Sequence, residues 1–335
     1  MNNHLYPMTF EPVLKDYIWG GRNLARLGRD LPAEGVIAES WEIAAHEDGT
    51  TRVANGPYAG KPLTEVREAL GLDLIGRNCA WAQERAKFPL LVKLLDANRR
   101  LSVQVHPRDE YALAHEGNEL GKTEMWVVLH AEPGAEVILG VKAGTTRPAF
   151  REAIEEGRLE PHLHRLPVQA GDHLCVPAGS LHAILAGALI AEIQQNSNTT
   201  YRVYDWNRVG DDGKPRPLHV DRALEVIDFD QVEPALTPPR PVVDAGPVRR
   251  WVLCRNEYFT TERVEIDEGA GYSGACNGDS LEIWGVLEGQ VEVETLALEA
   301  VRFVLLPAAL GAFTIRAKSK AALLRTYVEA GEKFS

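Results

Sequence analysis

Four side chains in the middle of this chain are of the right kinds to hold a metal ion together. Gln104 and His106 lie in Leu101-Ser-Val-Gln-Val-His106, and Glu124 follows in Gly121-Lys-Thr-Glu124. His182 closes the run Gly171-Asp-His-Leu-Cys-Val-Pro177-Ala-Gly179-Ser-Leu-His182. One amide oxygen, two imidazoles and a carboxylate form a donor set that suits a borderline divalent cation such as zinc. Side chains alternate along a strand, so Gln104 and His106 share a face, and Ser102 joins them. The same rule sets Lys122 beside Glu124 on the next candidate strand. A lysine so close to a metal-bound carboxylate belongs in a polar pocket, where it could pair with the carboxylate, bind a phosphate or move a proton. The Pro-x-Gly turn ahead of His182 reads as a link between two strands that delivers the imidazole into a barrel. A second histidine pair, His162 and His164, sits in a polar segment without turn or strand signature and is not read as a site.

The elements that must position these groups are mostly strands. In 101–106, Leu101, Val103 and Val105 should lie opposite the polar face. Strands 125–130 and 136–141 flank Glu132-Pro-Gly-Ala135 and read as a hairpin; 182–185 and 189–195 around Ala186-Gly187 read as another. Residues 192–208 read as strand, turn and strand, with Arg202 and Tyr204 on one face and Tyr201, Val203 and Asp205 on the other. Helices are expected at Thr64–Leu70, ending at Gly71, and at Thr146–Glu156, with a Thr cap, an early Pro and a terminal Gly157. A third, within Pro107–Leu120, would wall the pocket. Many short strands with Pro/Gly turns indicate an all-β fold with helical insertions, built as a sandwich or barrel.

The proline-rich stretch 232–247 suits an exposed linker, which divides the chain into residues 1–231, with the metal site, and residues 248–335. Strands recur after it at 251–266, 281–294, 301–306 and 321–329. Val304–Ile315 echoes Cys175–Ile184; with Pro307 set on Pro177, His182 falls on Ala312. The second part is therefore expected to be a β repeat of the first that has lost its ligands.

A formal net charge of −12 argues against a nucleic-acid partner, which would need a basic face. The four cysteines show no CxxC and no paired spacing and are expected to be reduced, buried thiols. Residues 1–7 lack the basic and apolar regions of a secretion signal, and the longest apolar run, Ala183–Ala191, is too short to span a bilayer. No membrane association is expected, and a cytoplasmic location is.

The chain resembles the type I mannose-6-phosphate isomerases (phosphomannose isomerases) of the cupin superfamily, in particular the short bacterial kind. The resemblance runs through Ile18-Trp-Gly-Gly21, Ala38-Glu-Ser-Trp-Glu-Ile43, Pro89-Leu-Leu-Val-Lys-Leu-Leu-Asp96 and Leu101–Pro107. It continues through Gly121–Glu124, Val176–Ile184, Glu192–Ser197 and Thr200-Tyr-Arg-Val-Tyr-Asp205. It is dense over residues 10–210 and thin afterwards. It implies two cupin jelly-roll barrels, the N-terminal one metal-binding and the C-terminal one degenerate. It also implies one zinc ion per chain on Gln104, His106, Glu124 and His182, a catalytic arginine at Arg202, and an active-site lysine at Lys122. Ser102 and Lys93 fall at pocket positions and, with Lys122, could bind substrate. The implied reaction interconverts mannose 6-phosphate and fructose 6-phosphate through an enediol(ate). Its only implied partner is a small sugar phosphate, with the chain a monomer or weak homo-oligomer. The rival readings are a metal- and sugar-binding cupin without activity and an iron-dependent cupin oxygenase. Lys122 and Arg202 favour an anionic sugar and proton transfer over both.

Overall fold

The computed structural model describes residues 5–209 and 213–331; the start of the segment read for a secretion signal lies outside the described residues. Regular structure is predominantly β, with short helices inserted between strands. The chain divides into two compact units, one formed by the residues up to 13, 41–92 and those from 238 on, the other by 14–40 and 93–237. The last boundary falls inside the proline-rich stretch. In the first unit, the segment after helix α1 (Leu63–Leu70) is stitched to the C-terminal strands: the Leu281 and Ala308 amides donate to the Ile75 and Leu74 carbonyls. Helix α1 itself buries Leu63, Val66, Arg67 and Leu70, the i, i+3, i+4, i+7 stripe of an amphipathic helix, and stops at Gly71.

The strands around the candidate residues are β1 (Val13–Lys15), β2 (Glu39–Ile43), β3 (Leu90–Ala97), β4 (Val103–Val105), β5 (Glu124–Ala131), β6 (Glu136–Val141), β7 (Leu163–Pro167), β8 (His173–Val176), β9 (His182–Ile184), β10 (Ala188–Gln195) and β11 (Tyr201–Tyr204). They form a six-stranded sheet in the order β8-β5-β10-β3-β2-β1 and a five-stranded sheet in the order β7-β6-β9-β4-β11. One core, including Trp126, Val128, Val137, Leu139, Ile184 and Ile190, draws side chains from both sheets. A second core fills the other face of the five-stranded sheet, where Val103, Val105, Ala183 and Val203 meet helices α2 (Asp109–His115), α3 (Arg147–Glu155) and α4 (Val220–Val226). Helix α3 starts as its sequence predicts: the Thr146 hydroxyl accepts from the Ala149 amide, and Phe150, Ala153 and Ile154 are buried.

Several local expectations are corrected. The turns at Glu132–Ala135 and Ala186–Gly187 do not close hairpins, because β5 and β10 lie in the six-stranded sheet and β6 and β9 in the other. The link from β10 to β11 likewise changes sheet. Val128 and Val137, on either side of the first turn, face the same core from opposite layers, and that shared burial outweighs local pairing. Leu101 precedes β4 and joins the core between the sheets rather than the helix-covered face. Tyr204 also departs from its expected face: a bulge between Arg202 and Tyr204 turns it onto the helix-covered core with Tyr201 and Val203. The third helix is confined to Asp109–His115.

The first unit continues with β12 (Arg240–Val243), β13 (Val248–Arg255), β14 (Thr260–Ile266), β15 (Gly271–Cys276), β16 (Glu282–Glu288), β17 (Gln290–Val293), β18 (Leu296–Glu299), β19 (Phe303–Leu306), β20 (Gly311–Ala317) and β21 (Ala321–Tyr327). Their sheets are ordered β12-β13-β14-β21-β16-β19 and β15-β20-β17-β18. Strands β13 to β21 thus repeat, one for one, the order of β2 to β10 in both layers. The echo between Val304–Ile315 and Cys175–Ile184 is one local trace of that repeat.

Candidate metal centre and active site

Three turns and ties gather the candidate residues. Strand β9 pairs with β4 so that His182 stands opposite Gln104. The Pro-x-Gly turn fixes this approach, since Gly179, at φ +92°, donates its amide to the His106 carbonyl at 2.8 Å. The segment carrying Lys122 and Glu124 is pinned by Asp109, whose Oδ1 accepts from the Gly121 amide at 2.7 Å and the Gln195 side-chain amide at 2.9 Å. Gly121 permits the close approach, because a Cβ there would lie 2.5 Å from the Asp109 nitrogen.

His106, Glu124 and His182 come together with their donor atoms all within 4.8 Å of one another, and all three are buried. His106 Nε2 lies 3.2 Å from Glu124 Oε1. The imidazoles are oriented by backbone carbonyls, His106 Nδ1 at 2.8 Å from Thr199 O and His182 Nδ1 at 2.9 Å from Ser180 O. A carbonyl only accepts, so each ring keeps its proton on Nδ1 and presents the Nε2 lone pair to the cluster. Burial, reinforced by the Lys122 ammonium, pushes His106 down to about 3, and burial lowers His182 as well. Burial opposes ionisation of Glu124, but Lys122 and the imidazoles hold it well below the usual carboxylate range. Trp126 Nε1 donates to Glu124 Oε2 at 3.0 Å and steadies it. Two neutral imidazoles and an ionised carboxylate, each held by an outer partner, fit zinc.

A cavity of about 290 Å³ opens beside this cluster. Gln104, Glu124 and His182 line it with Ser102, Lys93, Lys122 and Arg202. Gln104 Nε2 lies 3.4 Å from His182 Nε2, which places the amide next to the cluster. Lys122 Nζ is 2.6 Å from Glu124 Oε1 and 3.3 Å from His106 Nε2. Arg202 donates through Nε to Ser102 Oγ at 3.1 Å and through Nη1 to the Pro217 carbonyl at 3.0 Å, and no carboxylate pairs with it among the described residues.

The chain and its fold match a known protein family. A model of the type I phosphomannose isomerase catalytic domain matches residues 8–121. A probable mannose-6-phosphate isomerase of Bacillus subtilis is 38% identical over 319 residues, covering 92% of this chain and 96% of that protein. The chain belongs to the type I phosphomannose isomerase family. The crystal structure of the mannose 6-phosphate isomerase from Bacillus subtilis superposes with a TM-score of 0.85 at 34% identity, over 96% of this chain and 99% of that one. A zinc-bound mannose 6-phosphate isomerase shares the fold, with a TM-score of 0.75 at 17% identity over 96% of this chain and 99% of that one.

In this phosphomannose isomerase the sequence motifs left part of the cavity unassigned. Glu39 and Glu192 also line it, buried on either side of Lys93, whose Nζ is 3.4 Å from Glu39 Oε1 and 3.0 Å from Glu192 Oε1. The available signal was an acidic residue inside each of the largely apolar stretches around Ala38, where Glu42 accompanies Glu39, and around Ile190. Burial, together with the Glu124 charge, raises Glu192 to about 7 against the pull of Lys93. Arg216 was missed as well, and it lines the cavity. His162 and His164 are engaged elsewhere, with Thr145 and the Pro234 carbonyl.

Replacing Lys93 with Met should cost about 3 kcal/mol or more, because it takes the cation away from the buried Glu192 carboxylate. Glu192, already raised by burial, would then take up a proton more readily than in the unfolded chain, so the folded variant is favoured at low pH. The loss should be smaller at pH 5 than at pH 8, which urea unfolding at the two values would measure.

The repeated strands show why the counterpart position differs. By register, Ala312 opposes Ala275 where His182 opposes Gln104, and Asn277 then falls at the place of His106. Glu282 and Trp284 keep the Glu124–Trp126 hydrogen bond, at 2.8 Å. Arg325, however, donates to Glu282 at 2.9 Å and lies 3.5 Å from Glu262, which Arg250 also pairs. Glu262 and Glu282 each have a guanidinium partner, and neither counterpart of the two imidazoles is a histidine.

Proposed function

We propose that the chain interconverts mannose 6-phosphate and fructose 6-phosphate with one zinc ion, held by His106, Glu124 and His182 and by the Gln104 amide as a further donor. The observation that carries this is the buried His–Glu–His cluster sharing one cavity with Lys122 and Arg202 in a chain of this family. When bound, zinc would act as a Lewis acid toward the sugar carbonyl.

Isomerisation removes a proton from C2 and returns one to C1, and the enediolate between them carries negative charge. Arg202 answers that charge. It stays protonated, and its Nη2 has no protein partner among the described residues. Lys122 is the proton-moving group in this reading: its amine takes the proton from C2, and the ammonium so formed returns one to C1. Ser102 fixes the Arg202 guanidinium and offers its hydroxyl to the sugar. Lys93, set between Glu39 and Glu192, forms the polar wall against which the sugar hydroxyls lie. We further read the two series of nine strands as cupin jelly-roll barrels, the first metal-binding and the second degenerate, because the strand order repeats while the donors do not.

The test is incubation with mannose 6-phosphate in D₂O, followed by NMR. Fructose 6-phosphate carrying deuterium at C1 is expected. Absence of product would contradict the reaction, and product without any solvent deuterium would contradict transfer through an exchangeable group.

A further inference from the structure

The cations that line the cavity are not equally available. Lys122 is committed to Glu124 and Lys93 to Glu39 and Glu192, and both lysines are only 5–6% exposed. The inner part of the cavity, with Glu39, Glu124 and Glu192, would repel a phosphate. Arg216 lines the same cavity and is 25% exposed, which marks the outer end.

Arg216 is held in place. Its Nε donates to Asp205 Oδ2 at 2.8 Å and its Nη2 to Asp205 Oδ1 at 2.6 Å, a two-pronged fork. Burial would raise Asp205, but Arg216 and Arg208 keep it below its ordinary value, so the fork stays charged. The segment that follows is tied to β11. The Arg202 guanidinium donates to the Pro217 carbonyl, the His219 amide donates to the Arg202 carbonyl at 2.8 Å, and the Arg202 amide donates to His219 Nδ1 at 3.2 Å. The Nη1 group of Arg216 has no protein partner among the described residues. Two guanidiniums, Arg208 and Arg216, pair with the one carboxylate of Asp205, and Arg202 pairs with no carboxylate among the described residues, so positive charge is in excess at this end.

We propose that Arg216, braced by Asp205, anchors the phosphate group of the substrate at the outer end of the cavity, an assignment that rests on the sugar-phosphate isomerase reading above. The sugar then lies with its carbonyl end toward His106, Glu124 and His182 and its phosphate toward solvent. Lys93 and Lys122 stay with their carboxylates. A phosphate carries close to two negative charges at neutral pH, which the excess at this end matches.

Calorimetric titration of the zinc-loaded protein with glucitol 6-phosphate, which has no carbonyl and does not turn over, tests this. Arg216→Ala should raise Kd roughly 10- to 100-fold, the effect of losing one charged hydrogen-bonding partner, with zinc content unchanged. Arg216→Lys, which keeps the charge without the fork, should fall between the variant and the wild type. Asp205→Asn should weaken binding about tenfold by loosening the same arginine. An Arg216→Ala protein that binds within about twofold of wild type would overturn the proposal. So would a loss of affinity that accompanies loss of zinc, which would make the role structural. If Arg216→Ala does not fold, unchanged affinity in both Arg216→Lys and Asp205→Asn would overturn it equally. Arg216-dependent binding without turnover of mannose 6-phosphate would contradict the isomerase reading and keep the anchor. Turnover by Arg216→Ala at an unchanged KM would do the reverse.

Discussion

Replacing His106 with Ala is expected to abolish stoichiometric zinc binding and to lower kcat/KM by about 10³-fold or more. The ring is buried beside Glu124 and kept in a single tautomer by the Thr199 carbonyl, so its Nε2 lone pair is turned into the cluster, where only Lys122 competes with a metal for it. A small side chain in its place leaves Glu124, one imidazole and the weaker Gln104 amide, too few strong donors for a tight site. Glu124→Gln should act alike with less change of shape, since it removes the one anionic donor of the cluster. Lys122 would then face a neutral amide where its carboxylate partner stood. Metal content by elemental analysis, measured beside turnover, checks both variants. Stoichiometric zinc retained in His106→Ala and in a matching His182→Ala would rule out this ligand set.

Arg202→Ala should lower kcat roughly 10³-fold while zinc content stays at one per chain. The guanidinium is held by a hydroxyl and a backbone carbonyl, both neutral, so its charge is not cancelled before substrate arrives. A partly buried cation of that kind is costly to keep without an anion, and a developing enediolate is the anion the proposed reaction supplies. The loss should appear mainly in kcat, because the interaction strengthens as charge develops. Arg202→Lys should recover little, since a lysine can reproduce neither the Ser102 contact nor the Pro217 contact in the same plane. Near-normal turnover in Arg202→Ala would remove this residue from the mechanism.

The residues around the metal cluster were legible because their signals are local. Gln104 lies on β4 with His106 directly after it, and Pro177 and Gly179 set a turn whose geometry follows from those residue types. The strand connections were not. Glu132-Pro-Gly-Ala135 and Ala186-Gly187 specify that the chain turns, but whether the next strand pairs at once or crosses to the facing layer depends on which apolar faces share a core, as Val128 and Val137 do. Tyr204 was misplaced by a bulge that no composition signals. Glu39 and Glu192 could have drawn attention as charges in apolar strands, yet only their meeting at Lys93, fifty-four residues from the first, gives them meaning. Arg216 lies in an irregular segment without periodicity, and its importance comes from the Asp205 fork.

The most direct test of the account is a coupled assay of the purified protein with mannose 6-phosphate, run before chelation, after it, and after zinc is restored. Fructose 6-phosphate should form, its formation should be lost on chelation, and it should return as zinc approaches one ion per chain. Turnover that survives complete removal of metal, or no turnover by fully zinc-loaded protein, would contradict it.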